Sequence, residues 1–150
     1  MSRDRGGSRS RHRARELLVK ALYQWQLAGH SAAEIAKQFA ADERFERCDR
    51  DYFDALLGTV IDNAAALDET IARHAARGLE QLDAVGRAIL LLALAELKFR
   101  DDVPPKVVIN EAVELAKRYG AAESYKFVNA LLDRSARELQ RGVAPAEAKA

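Results

Sequence analysis

From Ala88 to Ala95 the chain sets eight apolar side chains in succession, Ala-Ile-Leu-Leu-Leu-Ala-Leu-Ala. Leucine and alanine favour helix, and a helix that is apolar on every side must be surrounded by other elements rather than laid on a surface. Asp83 stands where a helix cap is needed, and Glu96, Lys98 and Arg100 return the chain to solvent. A buried central helix is therefore predicted over residues 84–99.

The wrapping for that helix lies immediately downstream, from Asp102 to Leu139. Pro104 and Pro105 suit a first helical turn, where a missing N–H costs nothing. Val108, Ala112, Leu115 and Tyr119 then recur at helical spacing, flanked by Ile109, Val113 and Ala116, with Lys106, Asn110, Glu114 and Lys117 opposite. Gly120 is expected to supply a left-handed stop after Lys117 and Arg118. Ser124 is expected to cap a second helix whose stripe is Val128, Leu131, Leu132, Ser135 and Leu139. This hairpin and the central helix make one packing unit.

Upstream, residues 1–8 show no apolar periodicity and are expected to form a flexible basic tail. A helix follows from about Ser10 to Ala28, with Ala14, Leu18, Ala21, Leu22 and Trp25 as its buried stripe. Arg9, Arg13, Glu16, Lys20 and Gln24 share the far side, and Tyr23 falls among them. Gly29 ends this helix, and Ser31 with Glu34 has the spacing of a capping box for a short helix to about Ala41, with Ile35 and Phe39 inward. Residues 42–51 are charge-dense and read as a loop with one turn. A long pattern through Phe53, Leu57, Val60, Ala64, Leu67 and Ile71 reads as two helices meeting near Ala66, the second capped by Asp68. Residues 10–41 form a second packing unit, joined to the first by these middle helices. Residues 141–150 read as a frayed tail. The expectation is an all-α fold of about seven helices in two subdomains, a single domain over residues 9–140.

Several function classes are excluded or disfavoured. Charged residues make up 31% of the 150 and hydrophobic ones 49%, a globular balance for one domain. The single cysteine, Cys48, cannot form an internal disulfide or a thiolate cage and reads as an inert thiol. No apolar run is long enough to span a membrane, and the basic N-terminus has no apolar segment behind it. A soluble cytoplasmic protein is expected. His12, His30 and His74 lack the paired spacing of a metal site, and no glycine-rich phosphate loop occurs. Catalysis is disfavoured, and neither a cofactor nor a metal is expected.

Charge is the strongest functional signal. Residues 1–15 hold Arg3, Arg5, Arg9, Arg11, Arg13 and Arg15 against Asp4 alone, a net of +5, while the remaining 135 carry −4. Positive charge at a helix start opposes the helix dipole, so Arg9 to Arg15 work against local stability and point to a polyanionic partner. Arginine forks onto phosphate and stacks on bases. With Lys20 and Tyr23 further along the same helix, the arm suits a nucleic-acid groove; the plainer reading of residues 1–8 is a solubilising tail, and Tyr23 either covers aliphatic stems or stacks on a base. Phe127, about 100° from the Val128–Leu132 stripe, is either a rim aromatic closing the core or a second flat face for a base.

Arg13-Ala-Arg15-Glu16 with Ala21-Leu-Tyr-Gln-Trp25, then Asp102-Val-Pro-Pro-Lys106, Val108-Ile-Asn-Glu-Ala112-Val-Glu-Leu-Ala-Lys117 and Ser124-Tyr-Lys-Phe-Val-Asn129 together resemble the NusB family of bacterial transcription antitermination factors. The resemblance runs collinearly over roughly residues 9–140. It implies an all-α fold of two helical subdomains, pairing with the ribosomal protein also called NusE, binding of the boxA element of nascent ribosomal RNA transcripts, and a place in the RNA polymerase antitermination complex. It also implies that Arg11, Arg13 and Arg15 form the RNA segment, that Tyr23 and Phe127 (beside Lys126) are its aromatics, and that Glu123 is an acid modulating RNA binding. The NusE surface would lie around Glu80, Leu82 and Arg87, although Gly86 among them offers no side chain. His12 interrupts the arginine run, where relatives often keep another arginine, and a histidine charges only near pH about 6.5. Monomer and homodimer both stay open. The alternatives are a stand-alone relative of the N-terminal RNA-binding module of ribosomal-RNA cytosine methyltransferases, and a helical protein–protein module without RNA binding. The last leaves the arginine arm unexplained.

Overall fold

The computed structural model describes the backbone of residues 2–75 and 82–139, with side chains from residue 7 onward in those ranges. The described residues form seven α-helices and no strand: α1 (Ser2–Ala28), α2 (Ala32–Ala40), α3 (Arg50–Asp62), α4 (Ala64–His74), α5 (Ala84–Phe99), α6 (Pro105–Tyr119) and α7 (Ser124–Glu138), with a 3₁₀ turn over Glu43–Arg47. The all-α class holds. Two compact units divide the chain, one up to Asn63 and one from Ala64 onward.

In the first unit α1 and α2 both pack on α3. Ala14, Leu18, Ala21 and Leu22 are fully buried, and Trp25, expected beside them, is half-buried. The helix continues back to Ser2, so the segment expected to be a flexible tail is helical. Gly6 and Gly7 disfavour helix there, but extending an existing helix avoids the cost of nucleation. Gly29, at φ 73°, ends α1 with its N–H donating to the Trp25 carbonyl at 2.9 Å. The predicted capping box is complete: the Glu34 N–H donates to Ser31 Oγ at 3.1 Å and the Ser31 N–H to Glu34 Oε1 at 2.9 Å. Phe39 and Phe45 bracket Phe53 at ring separations of 5.7 and 5.0 Å, the second edge-on, and fasten α2 and the 3₁₀ turn to α3.

The break between the middle helices falls at Asn63, three residues before the expected point. The Asn63 side-chain amide donates to the Thr59 carbonyl at 2.7 Å and closes the last turn of α3. Because Leu67 and Ile71 keep the helical period, the sequence pattern runs through this break unmarked. Asp68, expected as a cap, lies inside α4. These helices do not both serve as connectors: α3 belongs to the first unit, while α4 packs on α5 and α7 in the second.

In the second unit α5 is buried from Ala88 to Leu97 and capped by Asp83, which accepts the Gly86 N–H at 2.8 Å. Glu96, expected to face solvent, is buried with the rest. The α6–α7 hairpin forms, with two corrections at its turn. Gly120 is extended (φ −88°, ψ 175°), and the left-handed residue is Glu123 at φ 68°. Gly120 is small for a packing reason, since a Cβ there would lie 2.7 Å from Ser124 Oγ and 2.8 Å from the Ala116 carbonyl oxygen. Ser124 is accordingly the first residue of α7 rather than its cap. At the other end of α7, Glu138 accepts from Arg73 Nη2 at 2.9 Å and pairs with His74 Nε2 at 3.0 Å, and Arg134 donates to the His74 carbonyl, tying α7 to the last turn of α4.

Candidate nucleic-acid interface

Residues four apart on a helix share a face, and residues two apart lie on nearly opposite faces. The alternating arginines of α1 therefore split into two pairs. Arg11 and Arg15 turn toward α3, where their guanidinium carbons lie 4.2 and 5.4 Å from the centre of the Tyr52 ring. Arg15 is only 3% exposed and donates to the Tyr52 hydroxyl at 3.4 Å. Arg11 Nε stands 3.7 Å from Asp49 Oδ2. The Asp49 carboxylate caps α3 through the Tyr52 N–H at 3.0 Å, and its own N–H donates to the Ser10 carbonyl at 3.1 Å. Arg15, expected among the RNA contacts, is thus drawn inside because a buried tyrosine and its hydroxyl receive it. Tyr52 itself escaped the sequence reading. Its signal was a second stripe, Tyr52 with Leu56, beside the Phe53–Leu57 pair that marked the helix.

The other pair behaves differently. Arg9 is exposed and Arg13 half-buried, and neither makes an ion pair among the described residues. Arg13 joins Glu43, Arg44, Glu46 and Arg47 of the 3₁₀ turn around an open depression of about 550 Å³. Arg44 is held by Asp42 at 2.7 Å, and that hydrogen-bonded guanidinium keeps the Asp42 carboxyl well below the ordinary range, at about 2. Lys20, seven residues after Arg13, returns to its face. Tyr23 follows at 41% exposure, a flat ring open to solvent three residues after Lys20 on the helix. His12 Nε2 lies 3.5 Å from Glu16 Oε2.

On α7 the expected residues occupy the first turn. Phe127 is half-buried, and the exposed Lys126 is paired with Glu123 at 2.7 Å. Of the expected protein-partner residues, Glu80 lies outside the described residues. Leu82 is half-buried just before α5. Arg87 forks onto Asp68 of α4 at 2.9 and 2.6 Å, so its guanidinium already has a ligand within the unit. Gly86 has a local reason to lack a side chain: a Cβ there would meet Leu82 Cδ1 at 2.9 Å and Asp83 Oδ1 at 3.0 Å.

Cys48 is buried, which pushes its thiol up to about 11, far from a reactive thiolate. No group of three or more His, Cys, Asp or Glu side chains among the described residues is placed to hold a metal ion. No helix among them is long and apolar enough to cross a membrane. The chemistry on offer at the α1 face is cationic and aromatic.

Residues 12–137 match the NusB family. The chain is 49% identical over 132 residues to a transcription antitermination protein NusB of Photorhabdus laumondii subsp. laumondii, covering 88% of this chain and 96% of that one. It is 51% identical over 127 residues to the protein of the same name from Yersinia enterocolitica, covering 85% and 92%. A solved structure of T. maritima NusB superposes with a TM-score of 0.74 at 34% identity, over 85% of this chain and 91% of that one.

Proposed function

The chain belongs to the NusB family of transcription antitermination proteins, and on that premise we propose that it binds single-stranded boxA RNA, pairs with the ribosomal protein NusE, and joins the RNA polymerase antitermination complex as a non-catalytic adaptor. The observation that carries the RNA reading is the exposed strip of α1, on which Arg9, Arg13 and Lys20 share a face with the open ring of Tyr23. Phosphates sit on the cations, and an unpaired base stacks on the ring, the sequence-tolerant combination that single-strand binders use.

Arg11 and Arg15 have a different part in this reading. Through Tyr52 they fix α1 against α3 and so hold the exposed strip straight. On the second unit, Lys126 and Phe127 of α7 offer RNA a cation and an aromatic of their own, and Glu123 tempers that contact by occupying the Lys126 ammonium. Leu82 and Arg87 belong to the NusE surface, with Arg87 already shaped by Asp68. Binding two partners on one chain raises the effective concentration of each for the other, so NusE should tighten RNA binding. The methyltransferase-module reading shares this helical fold, and the RNA-free module leaves the cations on the outer side of α1 without a role.

The test is a titration of boxA RNA, with and without NusE, alongside a base-scrambled strand of the same composition. Tighter binding of boxA than of the scrambled strand, strengthened by NusE, is the expected result. Equal binding of both strands would reduce the arginine strip to a non-specific polyanion trap.

A further inference from the structure

Arginines and a stacking ring hold a strand without naming its bases, and the same face of the first unit carries a pair of groups able to do so. Gln24 on α1 and Gln38 on α2 meet at the surface, the Gln24 Nε2–H donating to Gln38 Oε1 at 2.8 Å. Gln24 lies one turn beyond Lys20 and next to Tyr23, and Gln38 is exposed. Both are anchored from behind. Leu22 precedes Gln24 at full burial, and Ile35 and Phe39 flank Gln38 in a short helix locked by its capping box.

Within this pair one amide hydrogen and one lone pair are used up. The Gln24 carbonyl remains as an acceptor, and the Gln38 amide keeps its N–H donors. Resting on the RNA reading above, we propose that Gln24 and Gln38 read the edge of one base in the strand held by Arg13, Lys20 and Tyr23. A fitting base carries an exocyclic amino group beside a ring nitrogen acceptor, as adenine does at N6 with N7 or N1 and cytosine does at N4 with N3. The amino group donates to Gln24 Oε1, and the ring nitrogen accepts from Gln38 Nε2–H. Uracil brings a carbonyl and an N–H to those positions, which sets oxygen against oxygen and hydrogen against hydrogen. A single glutamine amide reads adenine by the same pairing of one acceptor and one donor, here divided between two amides, and a good two-point contact discriminates by about 5- to 150-fold. A pin between α1 and α2 is a thin alternative role, since two long side chains lose rotamer freedom there for one solvent-exposed hydrogen bond.

The experiment uses the full chain and boxA RNA in which each adenine and each cytosine is replaced by uridine, one position at a time, with binding followed at fixed salt. Wild type should lose about 5- to 150-fold at one position beyond the background of the others. In the Gln24→Leu, Gln38→Leu double variant that penalty should fall to about twofold or less, with the salt dependence unchanged. Gln38→Glu, which can still accept from Gln24 while offering the base no donor, should also lose the discrimination. Whether the sensitive base is an adenine or a cytosine separates the two sources of the amino edge. A double variant with undiminished penalties, or one that loses affinity equally for every strand together with its thermal stability, overturns the base-reading role alone. A wild type with no preference for boxA over scrambled RNA overturns the RNA reading and this inference together.

Discussion

Arg9 and Arg13 differ from Arg11 and Arg15 in nothing but register, and that difference divides their work. The first pair faces outward beside Lys20 and Tyr23. The second packs on the Tyr52 ring, with Arg15 reduced to 3% exposure. A run of alternating arginines looks like one basic arm when read as a string. Wound into a helix, it becomes an outer cationic face, the one proposed for nucleic acid, and a structural face. Tyr52 and Asp49, placed on the opposite side by the capped start of α3, decide which is which.

The sharpest way to break this comparison is to remove what the inner pair rests on. Tyr52→Ala takes away a fully buried ring and should cost about 3–5 kcal/mol in urea unfolding. Tyr52→Phe, losing only the hydroxyl that Arg15 reaches, should cost about 1 kcal/mol. A near-neutral Tyr52→Ala would mean that the inner arginines are not structural. On the outer face, Tyr23→Ala should weaken boxA binding by about 1–3 kcal/mol while shifting stability by less than about 0.5 kcal/mol. Loss of stability instead of affinity would return the ring to packing.

A third prediction asks how far arginines elsewhere serve the fold. Arg73 and then His74 hold the Glu138 carboxyl down at about 2 by hydrogen bonding. A carboxyl lowered in the folded state stabilises the protein above its unfolded value of 4.5 and loses that contribution as pH falls toward 2. Wild type and Glu138→Gln should therefore differ at pH 7 by at most about 1 kcal/mol, less in high salt because the site is exposed. The difference should disappear as the pH drops through that window. A gap constant from pH 7 to pH 2 would assign it to something other than this carboxylate. The smallest effect is expected at Glu123. Glu123→Gln frees Lys126 and should tighten RNA binding by a few tenths of a kcal/mol, read as a roughly twofold lower Kd. Unchanged binding would take the start of α7 out of the RNA contact.

The fold was legible where periodicity and punctuation agreed. The apolar run of α5, the Asp83 cap, the Ser31–Glu34 capping box and most of the α6–α7 stripes appear in the structure at their expected places; Tyr119 and Leu139, at the ends of the two stripes, are only half-buried, and Ala116 and Ala136 are buried with the rest. What escaped depended on partners distant in sequence or on one side chain's local bond. The α3–α4 break rests on Asn63 reaching back to Thr59, with no interruption of the hydrophobic pattern. Gly120 looked like a left-handed stop, but its smallness answers to the Ser124 hydroxyl. Of the candidate site, Tyr23 and Arg9 are exposed on the polar side where the helical wheel puts them, and Arg13 beside them is half-buried. The inward turn of Arg15 was not legible, because only α3, 37 residues away, supplies the tyrosine that receives it.

The division of α1 is tested most directly by measuring the salt dependence of boxA binding and the unfolding midpoint for two double variants side by side. Arg9→Ala with Arg13→Ala should make the log–log salt slope shallower by about 1.4, two phosphates' worth, with the unfolding midpoint unmoved. Arg11→Ala with Arg15→Ala, assayed where it is still folded, should lower the midpoint and keep the wild-type slope. Equal loss of slope in both variants, with stability untouched in both, would contradict the account and make the arginines one undivided arm.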